Sequence, residues 1–210
     1  MRYDDLIWDF DGTLFDTYPP MCRALRLAME RVGFAFTEEE LMPWYTTSRK
    51  DVMAYCAQKA QISESEADAV YRGYLAEFGQ PPARPFPGIP SFLRRFRQAG
   101  GRHFLFTHRS ESVHQYLAEA GLTDLFAAVV SSGKTFARKP DPAGNLYLIA
   151  TYGLTPRRTL AIGDRELDVL AGKRAGTDAC LFTPERRESA ADYQIDRFDR
   201  LYDITELAGS

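Results

Sequence analysis

Asp9 and Asp11 stand two residues apart where the apolar run Leu6-Ile7-Trp8 ends, and Asp164 closes a second apolar run, Leu160-Ala161-Ile162-Gly163. Alternate residues of an extended chain point to the same side, so Asp9 and Asp11 can address one reactant. Two carboxylates sharing a site repel each other and raise one pKa unless a cation intervenes. A magnesium ion would relieve that repulsion, since it takes carboxylate oxygens together with substrate phosphate. Asp168 follows Asp164 by one turn if a helix begins there. Thr107 adds a hydroxyl at the end of a third apolar run, Phe104-Leu105-Phe106. A single acid at a strand end is more often a turn former or a helix cap. The convergence of Asp9/Asp11, Thr107 and Asp164 on one phosphate is what points to chemistry.

The elements that must position these groups read as alternating strands and helices. Leu6–Phe10, Phe104–Thr107 and Leu160–Asp164 are short apolar strands, with Val129-Val130 and Ala179–Phe182 as weaker ones. Pro90 suits a helix start, with Phe92, Leu93 and Phe96 on one face and Gly100-Gly101 as the stop. Ser110 is read as the cap of a helix ending at Gly121, and Pro142 as the start of one ending at Gly153. Alternation of this kind predicts an α/β fold, a doubly wound parallel sheet, whose ligands bind at the carboxyl ends of the strands. From about Thr17 to Ala83 the alternation stops. Met21–Met29, Val52–Ala60 and Glu64–Phe78 are helical in pattern, and Gln80-Pro81-Pro82-Ala83-Arg84-Pro85 reads as a stiff linker. The expected organisation is a core domain of residues 1–16 and 84–210 interrupted by an all-helical insertion over 17–83.

Composition bounds the partners. With 210 residues, 45% apolar and 26% charged, the chain is an ordinary globular protein. Its formal net charge of -3 argues against general affinity for nucleic acid or anionic membrane. No apolar run is long enough to span a bilayer, and the start is too short and acidic for a signal peptide. Cys22, Cys56 and Cys180 are scattered and odd in number, which fits reduced thiols in a cytoplasmic protein.

Four short segments, in order, carry a resemblance. Asp9-Phe10-Asp11-Gly12-Thr13-Leu14 resembles the first signature of the haloacid dehalogenase superfamily of phosphatases. Thr107 looks like its second, Lys139-Pro140-Asp141-Pro142 its third, and Gly163-Asp164-Arg165-Glu166-Leu167-Asp168 its fourth. The insertion resembles in place and size the helical cap of phosphoglycolate phosphatase-like members, and Pro87-Gly88-Ile89-Pro90 the point where the chain re-enters a Rossmann-like core. Ala171-Gly172 and Ala175-Gly176 fit the small residues of the helix after the fourth signature.

The resemblance implies a magnesium-dependent phosphomonoester hydrolase acting on a small phosphorylated metabolite, as a monomer or homodimer. Asp9 would be the nucleophile and Asp11 the acid and base. Mg2+ would be held by Asp9, Asp164 and the backbone carbonyl of Asp11, with Asp168 supporting from behind. Thr107, the backbone N–H of His108, and Lys139 would bind the phosphoryl group, although Thr107 alone could merely end a strand and Lys139 alone be a solvated loop lysine. Arg109 could face the phosphate, the cap or solvent. Within Thr46-Thr47-Ser48-Arg49-Lys50, Arg49 is the candidate for substrate choice, whereas Trp44, Tyr45, Tyr71 and Tyr74 read as cap core. A sugar phosphomutase shares the Asp9 and Asp11 chemistry, but the cap-side histidine expected of one is missing from Asp16-Thr17-Tyr18-Pro19-Pro20-Met21. A non-catalytic binding module would be expected to have lost Asp9 or Asp11, and both are present.

Overall fold

The computed structural model of the chain describes residues 1–134 and 136–207. By packing, the chain divides into two compact units, one formed by Met1–Phe15 with the chain from Arg84 onward and the other by Asp16–Ala83.

Among the described residues, the first unit is built on six parallel strands. They are β1 (Asp5–Trp8), β2 (Arg102–Phe106), β3 (Phe126–Val130), β4 (Thr159–Gly163), β5 (Asp178–Phe182) and β6 (Tyr193–Ile195), in the order β3-β2-β1-β4-β5-β6. β1, β2 and β4 are apolar almost throughout because both faces of a parallel sheet are covered. Successive side chains alternate between two helical layers. On one side Trp8 meets Phe92 edge-on at 6.0 Å and His103 lies 5.2 Å from Phe96, both phenylalanines belonging to α5 (Ile89–Gln98). On the other side Phe106 packs so closely against Gly144 of α7 (Ala143–Tyr152) that a Cβ there would lie 2.2 Å from the ring. Likewise Gly172 of α8 (Glu166–Arg174) allows a contact with Ala161 that a Cβ would close to 2.5 Å. At the amino end, Asp5 accepts two bonds from Arg102, at 2.6 and 2.9 Å, which hold β1 and β2 in register. α6 (Ser112–Glu119) follows β2, and α9 (Arg200–Ile204) closes the unit, with Tyr202 edge-on to Phe92 at 5.2 Å.

The helices depart from expectation in small ways. α6 starts at Ser112 rather than next to Ser110, because the Ser110 hydroxyl pairs with Ser112 Oγ at 3.0 Å instead of capping a backbone N–H. β6 and α9 carry too little periodicity to be read from sequence.

The second unit is wholly helical among its described residues. It contains α1 (Tyr18–Glu30), α2 (Glu38–Tyr45), α3 (Arg49–Ala60) and α4 (Glu64–Phe78). Its core includes Leu25, Met29, Leu41, Val52, Cys56 and Tyr71. α2 escapes a periodicity reading because Pro43 lies inside it, yet its start is marked by a capping box between Thr37 and Glu40. The same device, Ser63 with Glu66, opens α4. Tyr45 and Tyr71 are core residues as expected, while Trp44 stacks on Tyr55 at 5.2 Å and stays 40% exposed. The three cysteines are buried and free. No described helix is long and apolar enough to cross a membrane.

His103 on β2 is fully buried and bound at both ring nitrogens. Trp8 Nε1 donates to Nδ1 at 3.1 Å, so the proton sits on Nε2 and is donated to the Leu93 carbonyl at 2.9 Å. Burial pushes its pKa down to about 4, against the upward pull of that carbonyl. The folded state therefore favours the neutral ring. Its stabilising contribution is complete above the unfolded value of about 6.5 and is lost as pH falls towards 4, by up to about 1.4 kcal/mol per pH unit. In NMR titrations the His103 ring signals should stay at their neutral positions from pH 7 to 5; a midpoint near 6.5 would show that this ring is not so held.

Candidate active site

The sheet order reverses direction between β1 and β4, the switch point at which open α/β sheets leave a crevice at their carboxyl ends. Asp9 is the first residue beyond β1, and its N–H continues the ladder to Ile162 at 2.8 Å. Thr107 is the first residue beyond β2 and Asp164 the first beyond β4. The chain after Asp9 then wraps around one carbonyl, that of Phe10, which accepts from the N–H groups of Thr13, Leu14 and Phe15. Gly12 makes that turn at φ 74, a conformation that costs other residues steric strain.

At the centre lies one cation between two acids. Lys139 Nζ donates to Asp9 Oδ1 at 2.6 Å, pairs with Asp168 Oδ1 at 2.8 Å and donates to the Phe106 carbonyl at 2.9 Å. All three side chains are at most 5% exposed. Burial works against the lysine charge, but Asp168 and Asp9 outweigh it and raise its pKa. The Asp9 carboxyl is also raised, first by burial and then by Asp168, against the pull of Lys139. The lysine thus keeps its charge because it has two anions beside it, whereas burial dominates at Asp9.

Asp9, Asp164 and Asp168 each offer a carboxylate oxygen within 4.8 Å of the others. Asp9 Oδ2 is buried without a hydrogen-bond partner, although Oδ1 has Lys139. An orphaned anionic oxygen beside two further carboxylates fits a hard divalent cation such as magnesium. Thr13 Oγ1 donates to Asp164 at 3.3 Å and orients it. Asp168 Oδ2 accepts from the Arg165 N–H at 3.2 Å, which anchors that acid at the start of α8.

The remaining groups fall into place around these. Thr107 is buried, and its Oγ1 accepts from the Arg109 N–H at 3.1 Å, which leaves the hydroxyl proton to be donated. The His108 ring is turned to a structural task, with Nε2 accepting from the Lys139 N–H at 3.1 Å. Burial, then the charges of Lys139 and Arg138, push its pKa down to about 4, as that acceptor role requires. Asp11 pairs with Arg109, Nη1 to Oδ1 at 2.5 Å. The Arg109 guanidinium faces Asp11, a partner outside the three expected of it (phosphate, cap and solvent); its position two residues after Thr107 is the signal in the sequence. Arg49, in the helical unit, donates to Asp68 Oδ1 at 2.6 and 3.2 Å and lies over the Tyr71 ring at 5.4 Å.

A parallel α/β core with an acidic, cation-braced cluster at its switch point can hold an anionic ligand together with a divalent cation. The sequence matches the haloacid dehalogenase-like hydrolase family over residues 6–182, and the chain belongs to that family. It is similar to a phosphoglycolate phosphatase of Aliivibrio fischeri, 30% identical over 220 aligned positions that cover 97% of this chain and 96% of that one. Among solved structures, a hydrolase from Streptococcus pneumoniae is 28% identical with a TM-score of 0.67, covering 98% of this chain and 100% of the other. A structure described as a predicted phosphoglycolate phosphatase from Haemophilus somnus shares the fold with a TM-score of 0.83, at 22% identity, over 98% of this chain and 99% of that one.

Gly163 sets how closely α8 approaches β4. A Cβ there would lie 2.3 Å from Asp168 Cβ and 2.6 Å from its carboxyl carbon. Gly163→Ala should therefore move Asp168 off Lys139 while leaving every charged group present. A displacement of this kind costs roughly 10²-fold in turnover, with a loss of about 1–3 kcal/mol in stability from overpacking. Activity within twofold of the unaltered chain would show that Asp168 need not sit where it does.

Proposed function

We propose that this phosphatase of the haloacid dehalogenase-like family hydrolyses a small phosphorylated metabolite, with phosphoglycolate the first candidate, using Mg2+ and a phosphoryl-enzyme formed on Asp9. The observation that carries this reading is the contrast between the two aspartates. Asp9 is buried against Lys139 with one oxygen unpartnered, while Asp11, two residues on, has a separate cation and greater exposure. One is suited to attack, the other to proton exchange. The Aliivibrio fischeri relative supports phosphoglycolate as the substrate to try first.

In the first step a carboxylate oxygen of Asp9 would bond to phosphorus as the bond to the leaving oxygen breaks, and Asp11 would give that oxygen its proton. In the second, Asp11 would take a proton from water as the water oxygen attacks, releasing phosphate and restoring Asp9. Lys139 would offset charge on the nucleophile and on the transferring group, and Thr107 and the His108 N–H would donate to phosphoryl oxygens. Asp9, Asp164 and the Asp11 carbonyl would hold the metal, with Asp168 behind them. When bound it would supply charge neutralisation and fixed orientation to the phosphate. The helical unit, 17–83, is proposed as the cap that selects the substrate, with Arg49 its candidate residue.

Phosphoglycolate and p-nitrophenyl phosphate should both be hydrolysed with magnesium, and neither in excess EDTA. Asp9→Asn should form no phosphoryl-enzyme from any substrate. Asp11→Asn should still accept a phosphoryl group from an activated aryl or acyl phosphate and then retain it, because water has lost its base. Mass spectrometry of the quenched variant should place the added mass on the peptide containing Asp9. Full activity in EDTA would remove the metal from the proposal, and a label on Ser, His or Cys would overturn the nucleophile.

A further inference from the structure

The stretch 184–191 between β5 and β6 forms neither helix nor strand and is held by side chains instead. Gln194 of β6 holds Arg187 by both of its backbone groups. The Arg187 N–H donates to Gln194 Oε1 at 3.1 Å, and Gln194 Nε2 donates to the Arg187 carbonyl at 2.8 Å. One carboxamide thus does for Arg187 what a neighbouring strand would do, and the pair of bonds fixes which end of the amide is oxygen. Held in this way, Arg187 reaches back towards the acidic cluster: its Nη2 donates to the backbone carbonyl of Asp164 at 3.0 Å. Three residues on, the Ala190 N–H donates to Glu166 Oε1 at 2.9 Å. Asp192 then receives Lys173 Nζ on both carboxylate oxygens, at 2.7 and 2.8 Å, and the Ala179 N–H at 2.8 Å. Glu166 is the first residue of α8, and Lys173 lies in its last turn. The segment is therefore fastened to both ends of the helix that carries Asp168, and to the turn that carries Asp164.

These bonds do little for the fold itself. Arg187, Ala190 and Asp192 are exposed, and hydrogen bonds open to water add little net stability. What matters is where they end. Asp164 and Asp168 are two of the three acids whose oxygens lie within 4.8 Å of one another. Asp164 lies between the last residue of β4 and the start of α8, so its placement depends on what holds that turn. We propose that residues 187–192 brace this turn, with Arg187 and Gln194 as positioning residues that keep Asp164 where it can bind Mg2+. The inference rests on the reading of Asp164 as a metal ligand and takes it further. It extends the support of that ligand to a residue of the edge strand, Gln194, whose side chain bonds the Arg187 backbone rather than any of the acids. Groups that hold a metal ligand from behind are commonly worth 10–100-fold in metal affinity.

The test is Mg2+ binding to the full chain without substrate, measured by calorimetry and again as the rise in thermal midpoint with Mg2+ concentration. The proteins compared are the unaltered chain, Arg187→Met, Arg187→Lys, Gln194→Ala and Gln194→Glu. Arg187→Met and Gln194→Ala should each weaken Mg2+ binding about tenfold, the lower end of the effect of losing a group behind a ligand. Arg187→Lys keeps a donor and should lose less than Arg187→Met. Gln194→Glu keeps an acceptor for the Arg187 N–H but no donor for its carbonyl, and should fall between the unaltered chain and Gln194→Ala. Without Mg2+ the midpoints of all four variants should lie within about 4 °C of the unaltered chain, as for ordinary surface changes. With p-nitrophenyl phosphate, the Mg2+ concentration for half-maximal rate should rise by the same factor as the binding constant, and much of the lost turnover should return at saturating Mg2+. Unchanged Mg2+ affinity in Arg187→Met and Gln194→Ala would overturn the brace. A raised KM for the ester with Mg2+ affinity intact would overturn it as well, by placing Arg187 on the substrate. If Gln194→Ala does not fold, Gln194→Glu decides in the same way. Variants that match an unaltered chain able to bind Mg2+ would remove this inference alone. An unaltered chain that binds no Mg2+ would remove the metal reading and this inference with it.

Discussion

The ammonium of Lys139 lets two buried carboxylates, Asp9 and Asp168, sit together at the switch point of the sheet. Taking two anions and a cation out of water costs several kcal/mol per ion, and only close, well-bonded pairs recover it. Here the recovery needs contacts of 2.6 and 2.8 Å made at once to residues far apart in sequence. That requirement reaches outward. It fixes the loop carrying Lys139, which the His108 ring holds by its N–H, and it fixes the first turn of α8, where the Arg165 N–H holds Asp168. A buried triad of this kind gives a fold little net stability compared with an apolar cluster of similar volume. Its place is accounted for by the chemistry proposed for Asp9.

The parallel sheet is what makes so demanding an arrangement affordable. Buried on both faces, its strands deliver Asp9, Thr107 and Asp164 at neighbouring carboxyl ends. Close approach of helix to strand then depends on what is missing from the side chains. Gly144, Gly163 and Gly172 each occupy a point where a Cβ would meet a neighbour at 2.2–2.5 Å. The first two contacts lie against Phe106 and Asp168, so the packing of α7 and α8 bears directly on Lys139 and its partners. Core packing and site geometry are one problem here.

Much of this was legible in the residues themselves. The α/β class follows from apolar runs alternating with capped helices, and Asp9, Asp11 and Asp164 stand out because they end such runs. Thr107 and Lys139 gain meaning only beside them. Pro43 hid α2, although the capping box at Thr37 marks its start. Less legible were the pairings, which depend on distances across the fold. Nothing in Lys139-Pro140-Asp141 says that its ammonium meets Asp168, 29 positions on, as well as Asp9. Nothing in Thr107-His108-Arg109 says that the imidazole turns to the Lys139 backbone while the guanidinium turns to Asp11. Side chains adjacent in sequence here take opposite tasks, and propensity is silent on that choice.

Asp9 and Asp11 show how such a choice is made physically. Alternation along an extended strand would put both on one side, but the strand ends at Trp8, and the turn that wraps the Phe10 carbonyl begins between them. The turn separates their surroundings. Asp9 keeps the buried end of the ladder and Lys139, a compact point charge on a flexible stem that can serve two acids at once. Asp11 receives Arg109, a flat donor array fastened by α6 and by two aromatic rings, which can serve one acid in one orientation. The two cations differ in kind, and two residues of separation are enough to give Asp9 and Asp11 different ones because the end of β1 lies between them.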